Sequence, residues 1–411
     1  MKSHLKLVAP FVVALAAAAC SANGGSPSVP GMTGQSVARM HPARARVRKL
    51  WGPNVAQVCS DVPAGYVKCL ALLRTDIAQS MNPATVAGLT PADFQSAYAL
   101  PSSSKGTGQV VAVVDAYDNP RVASDLATYR SQFGLPAANF TKYNQNGETG
   151  DYPEGGVYNW ALEIDLDVEM VSATCPNCTI YLIEANGFDK YDMETAEAEA
   201  VTLGAHIVSN SWGCPRSNKC LDSSYFDTPG VTYLAGGGDG GYGTIAPAAL
   251  GSVVSVGGTM LVKSSGKRGW TETAWSSTGA GCASGIKRPS WQHDPDCKYR
   301  MANDVAADAD PSTGAAEFDS YGYGGWFVVG GNSVSTPLLA GVFGLAGNAA
   351  SQDGGKTFWE KPHEKAKDLY PITSGSDGTC SPKYFCADGT NEYGKYGGPT
   401  GWGTPHGIGA F

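Results

Sequence analysis

Histidine is scarce in this chain: His4, His41, His206, His293, His363 and His406 are its six, among 411 residues. None lies in a glycine-rich motif that opens a helix. A Ser–His–Asp arrangement is therefore poorly supplied. Charge is scarce too, at 16% of residues against 42% hydrophobic, which is ample for a sizeable core. Positive charge is in deficit, with 29 Lys and Arg facing 37 Asp and Glu, for a net charge of −8. A phosphate-binding surface is normally basic, so nucleic acid is excluded as the main partner. Runs long and apolar enough to span a membrane are lacking; Leu7–Ala19 is too short. Internal repeats are absent. Cys175-Pro-Asn-Cys178 has no second Cys-x-x-Cys to complete a zinc site and no thioredoxin-like context, so a structural bridge is the simpler reading.

Cysteine itself is plentiful, and so is glycine, with 53 residues that imply many tight turns and long irregular loops. Lys2 and Lys6 precede the apolar run Leu7–Ala19, which ends in small residues. That is the pattern of a signal peptide over 1–19 and places the protein outside the cell or in the cell envelope. Cys20 follows three alanines and is a candidate lipid anchor, although Ala17 stands where a large apolar residue is usual. The other ten cysteines fall in near pairs: Cys59/Cys69, Cys175/Cys178, Cys214/Cys220, Cys282/Cys297 and Cys380/Cys386. An even count in an exported chain implies disulfides, and near-neighbour pairing is the simplest scheme.

Residues 20–50 read as a flexible linker, Ser/Gly/Pro-rich and then basic around Arg44, Arg46, Arg48 and Lys49. Residues 51–100 hold a short cysteine-clipped segment, a helix expected near Leu70–Ser80, and the character of a propeptide remnant. From Gly106 the pattern changes, and 101–411 reads as the main domain. Strand-length apolar runs appear at Val110–Val114, Ile180–Ile183, Ile207–Ser211, Val231–Ala235 and Val253–Val256. Helical patterns lie between them at Arg121–Phe133, Trp160–Ser172 and Met193–Leu203. Near-continuous Val/Ile strands alternating with helices predict a doubly wound α/β fold, its mostly parallel sheet covered on both faces. Sites in such folds lie beyond the carboxyl ends of the strands.

One stretch at such an end is Gly330–Gly341, between a strand-like run at Trp326–Val329 and a helix expected over Leu338–Ala346, with Pro337 in its first turn. Ser333 there is a candidate nucleophile, since a helix N-terminus favours developing negative charge. On these residues alone the simpler reading is an N-cap serine. A partner is needed. On the apolar pattern Trp160–Ser172, Glu163 and Asp167 stand four apart on one face. Two adjacent carboxyls on a largely buried helix share a proton or serve a function; otherwise their stripe is the solvent face. Asp239 ends the glycine run after Val231–Ala235 and reads on its own as a turn aspartate. His206, at a strand start, reads as a satisfied core residue.

Three blocks, Glu163-Ile-Asp-Leu-Asp167, Gly238-Asp239-Gly240 and Gly331-Asn-Ser333-Val-Ser-Thr-Pro337, together resemble the sedolisin family of serine-carboxyl peptidases, whose fold is subtilisin-like. Ser211-Trp212-Gly213 and Pro399-Thr-Gly-Trp-Gly-Thr-Pro405 extend the resemblance, which runs from about Pro91 to Phe411. It implies Ser333 as nucleophile, Glu163 as general base, Asp167 as the group orienting Glu163, and Asp239 as donor to the oxyanion. It implies Ser211, Trp212 and Gly213 as the strand edge that pairs with an extended protein or peptide substrate. An acidic working range and a monomer are the matching expectations.

The chain also departs from the family. Asn332 stands where threonine is usual. Pro371 and Gly397 occupy the positions of two calcium-binding aspartates, so that site is expected to be lost and no cofactor is implied. The short cysteine bridges are then candidates to clamp the loop instead. The segment before the main domain is far shorter than the family's inhibitory one. Asp115 ends the first strand where subtilisins hold their triad aspartate, and reads as structural or substrate-facing. Two other functions remain open: an inactive homologue binding through the aromatic loop Tyr321–Trp326, and an ordinary subtilisin using Asp115 and His206.

Overall fold

The computed structural model describes residues 51–156, 159–214, 217–360, 362–391 and 395–411. The signal peptide, Cys20 and the linker over 20–50 lie outside the described residues. No helix among the described residues is long and apolar enough to cross a membrane.

The strands number in chain order. β1 (Val55–Gln57), β2 (Lys68–Cys69) and β3 (Leu72–Arg74) come from the early segment. β4 (Val110–Ala116), β5 (Asn139–Asn144), β6 (Thr179–Ala185), β7 (Ile207–Asn210), β8 (Trp212–Gly213) and β9 (Thr232–Gly236) follow. β10 (Val253–Lys263), β11 (Trp270–Ala274), β12 (Gly281–Lys287), β13 (Tyr299–Ala302), β14 (Val305–Asp308), β15 (Ala315–Asp319) and β16 (Gly325–Gly330) complete those used below. Among the described residues, eight strands form the main sheet in the order β11-β10-β9-β7-β4-β6-β5, with β14 also beside β10. All its pairings are parallel except β10 with β11. The Val-Val-Ala-Val-Val run of β4 is buried from Val111 onward, as a strand covered on both faces requires. The fold is α/β and subtilisin-like, as expected.

Two buried helices, Trp160–Thr174 and Asn332–Ala346, pack against each other below the site. Gly341 permits the contact: a Cβ there would lie 2.0 Å from Thr174 Oγ1. Every residue of Trp160–Thr174 is buried, so Glu163 and Asp167 do not form a solvent face.

Two local expectations fail. The helix expected from Leu338 begins at Asn332, six residues earlier, so Pro337 lies inside it rather than in its first turn. The proline forgoes the bond that the Ser333 carbonyl would accept. The helix expected near Leu70–Ser80 is absent; β3 lies there instead, just after β2, because long-range pairing overrides local preference. β2 pairs with β8, and β3 pairs with β16, the strand that leads into Ser333. All five near-neighbour disulfides are formed.

Candidate active site

The carboxyl ends of β4, β7 and β9 meet the start of the Asn332–Ala346 helix. Gly331, at φ 96°, makes the turn from β16 into that helix. Ser333 follows in the first turn, fully buried, and its Oγ donates to the Ser211 carbonyl at 3.3 Å.

Glu163 projects from the neighbouring helix, also fully buried. Neither of its oxygens has a hydrogen bond of ordinary geometry among the described residues. Burial pushes its pKa well above the carboxylate range, the Asp115 charge adds to that, and the nearby Ser333 hydroxyl pulls the other way. Catalytic hydrogen bonds are often long before substrate binds. Asp167 sits one turn further on. Burial raises its pKa well, the Asp115 and Glu163 charges raise it further, and the Ser211 hydroxyl opposes them.

Asp115, read from the sequence as structural or substrate-facing, joins this cluster. It is fully buried beside Glu163 and Asp167, and burial pushes its pKa up to about 8. Three carboxyls thus share one desolvated space and titrate as a group. The signal was present: Asp115 lies near the carboxyl end of a central parallel strand, where sites gather. Trp212 fixes this corner by donating from its indole to the Val114 carbonyl at 2.8 Å.

Asp239 approaches from the other side. Its Oδ1 accepts from the Asn332 backbone N–H at 2.9 Å, and burial pushes its pKa up to about 8. Its Oδ2 lies 2.8 Å from the point a Gly331 Cβ would occupy. A carboxyl still protonated there can donate a hydrogen bond to an oxygen beside Gly331. Ser333, the Glu163, Asp167 and Asp115 carboxyls and Asp239 are thus gathered at one place in the fold. The arrangement can activate a hydroxyl and bind developing negative charge.

The expected substrate edge, Ser211–Gly213, is already paired. Trp212 and Gly213 face Cys69 and Lys68, and the Leu70 N–H donates to the Ser211 carbonyl at 3.0 Å. The Leu70 carbonyl accepts from the Ser333 N–H at 3.4 Å.

Other candidates lie elsewhere. His206 is exposed, with Nδ1 2.8 Å from the Gly230 carbonyl, so it is not a core residue. Neither Asp115 oxygen has a hydrogen-bond partner among the described residues, which leaves an Asp115–His206 pair unsupported. Trp326 of the aromatic loop is buried against Tyr129, Phe133 and Phe318. Asp125, Asp165 and Asp319 form a separate buried group, each offering an oxygen within 4.8 Å of the others.

In the C-terminal loop, Pro371 has no side-chain ligand atom, and a Cβ on Gly397 would lie 1.7 Å from Asp388 Oδ1. Asp388 Oδ2 instead accepts from Thr400 at 3.0 Å, and Cys380–Cys386 closes the loop. The two positions do not fit the family's calcium ligands.

No family model matches the chain. Kumamolisin of Bacillus sp. (strain MN-32) is 30% identical over 333 residues, 70% of this chain and 57% of that protein. Sedolisin of Pseudomonas sp. (strain 101) is 24% identical over 374 residues, 81% of this chain and 61% of that protein. The chain therefore spans about three fifths of the length of these curated relatives. A solved structure of Pseudomonas sedolisin, titled a serine-carboxyl proteinase complexed with two molecules of pseudo-iodotyrostatin, matches with a TM-score of 0.67 at 22% identity. That match covers 78% of this chain and 96% of the other, and it shows the fold.

Proposed function

Because the chain belongs to the sedolisin family, we propose that it is an exported serine-carboxyl endopeptidase that cuts peptide bonds in acid. The observation that carries this reading is Ser333, buried at a helix mouth with the Glu163 carboxyl cluster on one side and Asp239 on the other.

The peptide carbonyl carbon is attacked by Ser333 Oγ while Glu163 takes the proton. Asp167 and Asp115 keep Glu163 in place and hold protons of their own, so one negative charge is shared across the cluster. The oxyanion forms beside Gly331, where the Ser333 N–H and the protonated Asp239 donate to it. Glu163 returns the proton to the leaving amine, and water repeats the sequence on the acyl-enzyme. Asp239 donates only while neutral, and Lys68 is the charge that opposes its neutrality. The donor therefore favours acid conditions. An extended substrate pairs with Ser211, Trp212 and Gly213 through its backbone.

In this reading the enzyme works as a monomer without a cofactor, and Cys380–Cys386 takes over the clamp on the C-terminal loop. Hydrolysis of casein by purified protein over an acid-to-neutral series tests it. Wild type is expected to digest casein in acid and Ser333→Ala is not; retention of full hydrolysis by Ser333→Ala ends the assignment.

A further inference from the structure

We propose that Ile245 forms the floor of the pocket for the substrate side chain on the acyl side of the cut bond and limits it to the size of leucine, an inference that rests on the peptidase reading above. Leu70 marks the place of that pocket. Its carbonyl accepts from the Ser333 N–H at 3.4 Å, and its N–H donates to the Ser211 carbonyl at 3.0 Å. The Leu70 oxygen lies 1.9 Å from the point a Gly331 Cβ would occupy, and Asp239 Oδ2 lies 2.8 Å from the same point. Leu70 therefore stands where the residue that gives up its acyl group would stand. Its side chain turns toward the end of β9. Leu70 Cδ1 lies 2.8 Å from the point a Gly236 Cβ would occupy, with Asn332 Cβ at 2.8 Å and Thr336 Oγ1 at 3.1 Å from that point.

The crevice that receives this side chain has two backbone walls. β7 and β9 pair as far as Asn210 and Ala235. Beyond that point one chain turns away to pair with β2, and the other bonds to Val256 and Gly279. Ile245 fills the gap between Gly213 on the first wall and Gly238 on the second. A Cβ on Gly213 would lie 2.5 Å from Ile245 Cδ1, and a Cβ on Gly238 would lie 3.3 Å from the same atom. One methyl group thus touches both walls, and glycine at both positions lets it in. The loop of Ile245 is fixed by its backbone: the Ala246 carbonyl accepts from the Cys214 N–H at 2.9 Å, and the Ile245 carbonyl from the Ala249 N–H at 2.8 Å. Ile245 nevertheless stays half-buried, which leaves apolar surface for a substrate side chain to cover. Asn332 adds only its Cβ to the mouth, because its amide donates to the Val256 carbonyl at 3.2 Å and to the Ser335 hydroxyl at 3.0 Å. A floor of branched aliphatic carbon offers no charge to pair with lysine or arginine and no depth for a phenyl ring.

Trimming Ile245 should deepen the pocket. Wild type, Ile245→Val and Ile245→Ala are compared in acid on two fluorogenic peptides that differ only at the acyl position, leucine in one and phenylalanine in the other. Circular dichroism confirms folding. The quantity read is kcat/KM for the phenylalanine peptide divided by that for the leucine peptide. This ratio cancels any loss common to both peptides, including competition from residues 68–70 for the Ser211–Gly213 edge. Wild type is expected to favour leucine at least about tenfold, and Ile245→Ala to raise the ratio at least about tenfold, with Ile245→Val between them. Ile245→Val trims a single carbon and so covers failure of the alanine variant to fold. A residue that only supported the fold would lower both rates and leave the ratio unchanged. An equal ratio in every folded protein, or a wild type that favours phenylalanine, overturns the pocket assignment and leaves the peptidase reading intact. Absence of turnover on both peptides in every folded protein overturns the peptidase reading, and the pocket with it.

Discussion

Asparagine at position 239 should separate the oxyanion donor from the base. Asp239 Oδ1 accepts from the Asn332 N–H at 2.9 Å, which leaves Oδ2 toward the pocket beside Gly331. An asparagine keeps the accepting oxygen and puts an N–H where the acid proton was, independent of pH. Burial pushes the Asp239 pKa up to about 8, so the wild-type donor is intact through the acid range and is lost above that value. About one unit higher, only about a tenth of the molecules keep it. Asp239→Asn should therefore retain acid turnover within about tenfold and lose the alkaline fall tied to this group. Asp239→Ala removes the donor at every pH and should lower kcat by about 10²–10³, or about 2.7–4 kcal/mol of barrier. The assay is a pH–rate profile on a fluorogenic peptide, run on each folded variant beside wild type. If Asp239→Asn falls off at the same pH as wild type, or Asp239→Ala loses nothing, the carboxyl is not the donor.

Stability should be greatest in acid. Burial raises Glu163, Asp165, Glu169 and Glu317 well above the ordinary carboxylate range, and Asp115 and Asp239 to about 8. The folded chain holds protons that the unfolded chain has lost, so stability is full below the ordinary carboxylate range and declines as pH climbs toward 8. Thermal melts by circular dichroism check this, and a Tm that rises over that interval contradicts it. Gly331→Ala puts a methyl 1.9 Å from the Leu70 oxygen at φ 96°. Peptide turnover should drop at least about 10²-fold, since the oxyanion space is filled; wild-type turnover would show that the space lies elsewhere. Trp212→Phe strips the Val114 carbonyl of its indole donor, at a cost of about 1–3 kcal/mol in urea unfolding. An unchanged midpoint would mean that water replaces the indole. Chelation with EDTA should leave Tm unchanged, because neither Pro371 nor Gly397 can supply a carboxylate. A calcium-dependent rise abolished by Asp388→Asn would instead place an ion in this loop.

The fold was legible because β4, β6, β7 and the start of β10 are rich in Val and Ile and β9 is apolar in its middle, a pattern that announces buried parallel strands. The site was legible only through the resemblance carried by three blocks together, since each block alone reads as a helix cap, a solvent face or a turn. That Asp115 lies beside Glu163 and Asp167 was not legible, because it depends on which helix packs beneath its strand, and periodicity carries no such distance information. His206 was misjudged for the same reason: a strand start can face solvent. Residues 70–80 were misread because helix preference is a weak prior, overturned when β1 and β16 both pair with residues 72–74. Pairing of residues 68–70 with the very edge expected to hold substrate is a non-local contact, and nothing in either segment signals the other.

The central claim is that a carboxyl, not an imidazole, removes the Ser333 proton. Its most direct measurement is the single-turnover acylation rate of wild type, Glu163→Gln, Ser333→Ala and His206→Ala on one ester or peptide substrate in acid. Residues acting as a unit fail together, so Glu163→Gln and Ser333→Ala should fall to a common floor while His206→Ala matches wild type. Acylation by folded Glu163→Gln at the wild-type rate would contradict the account.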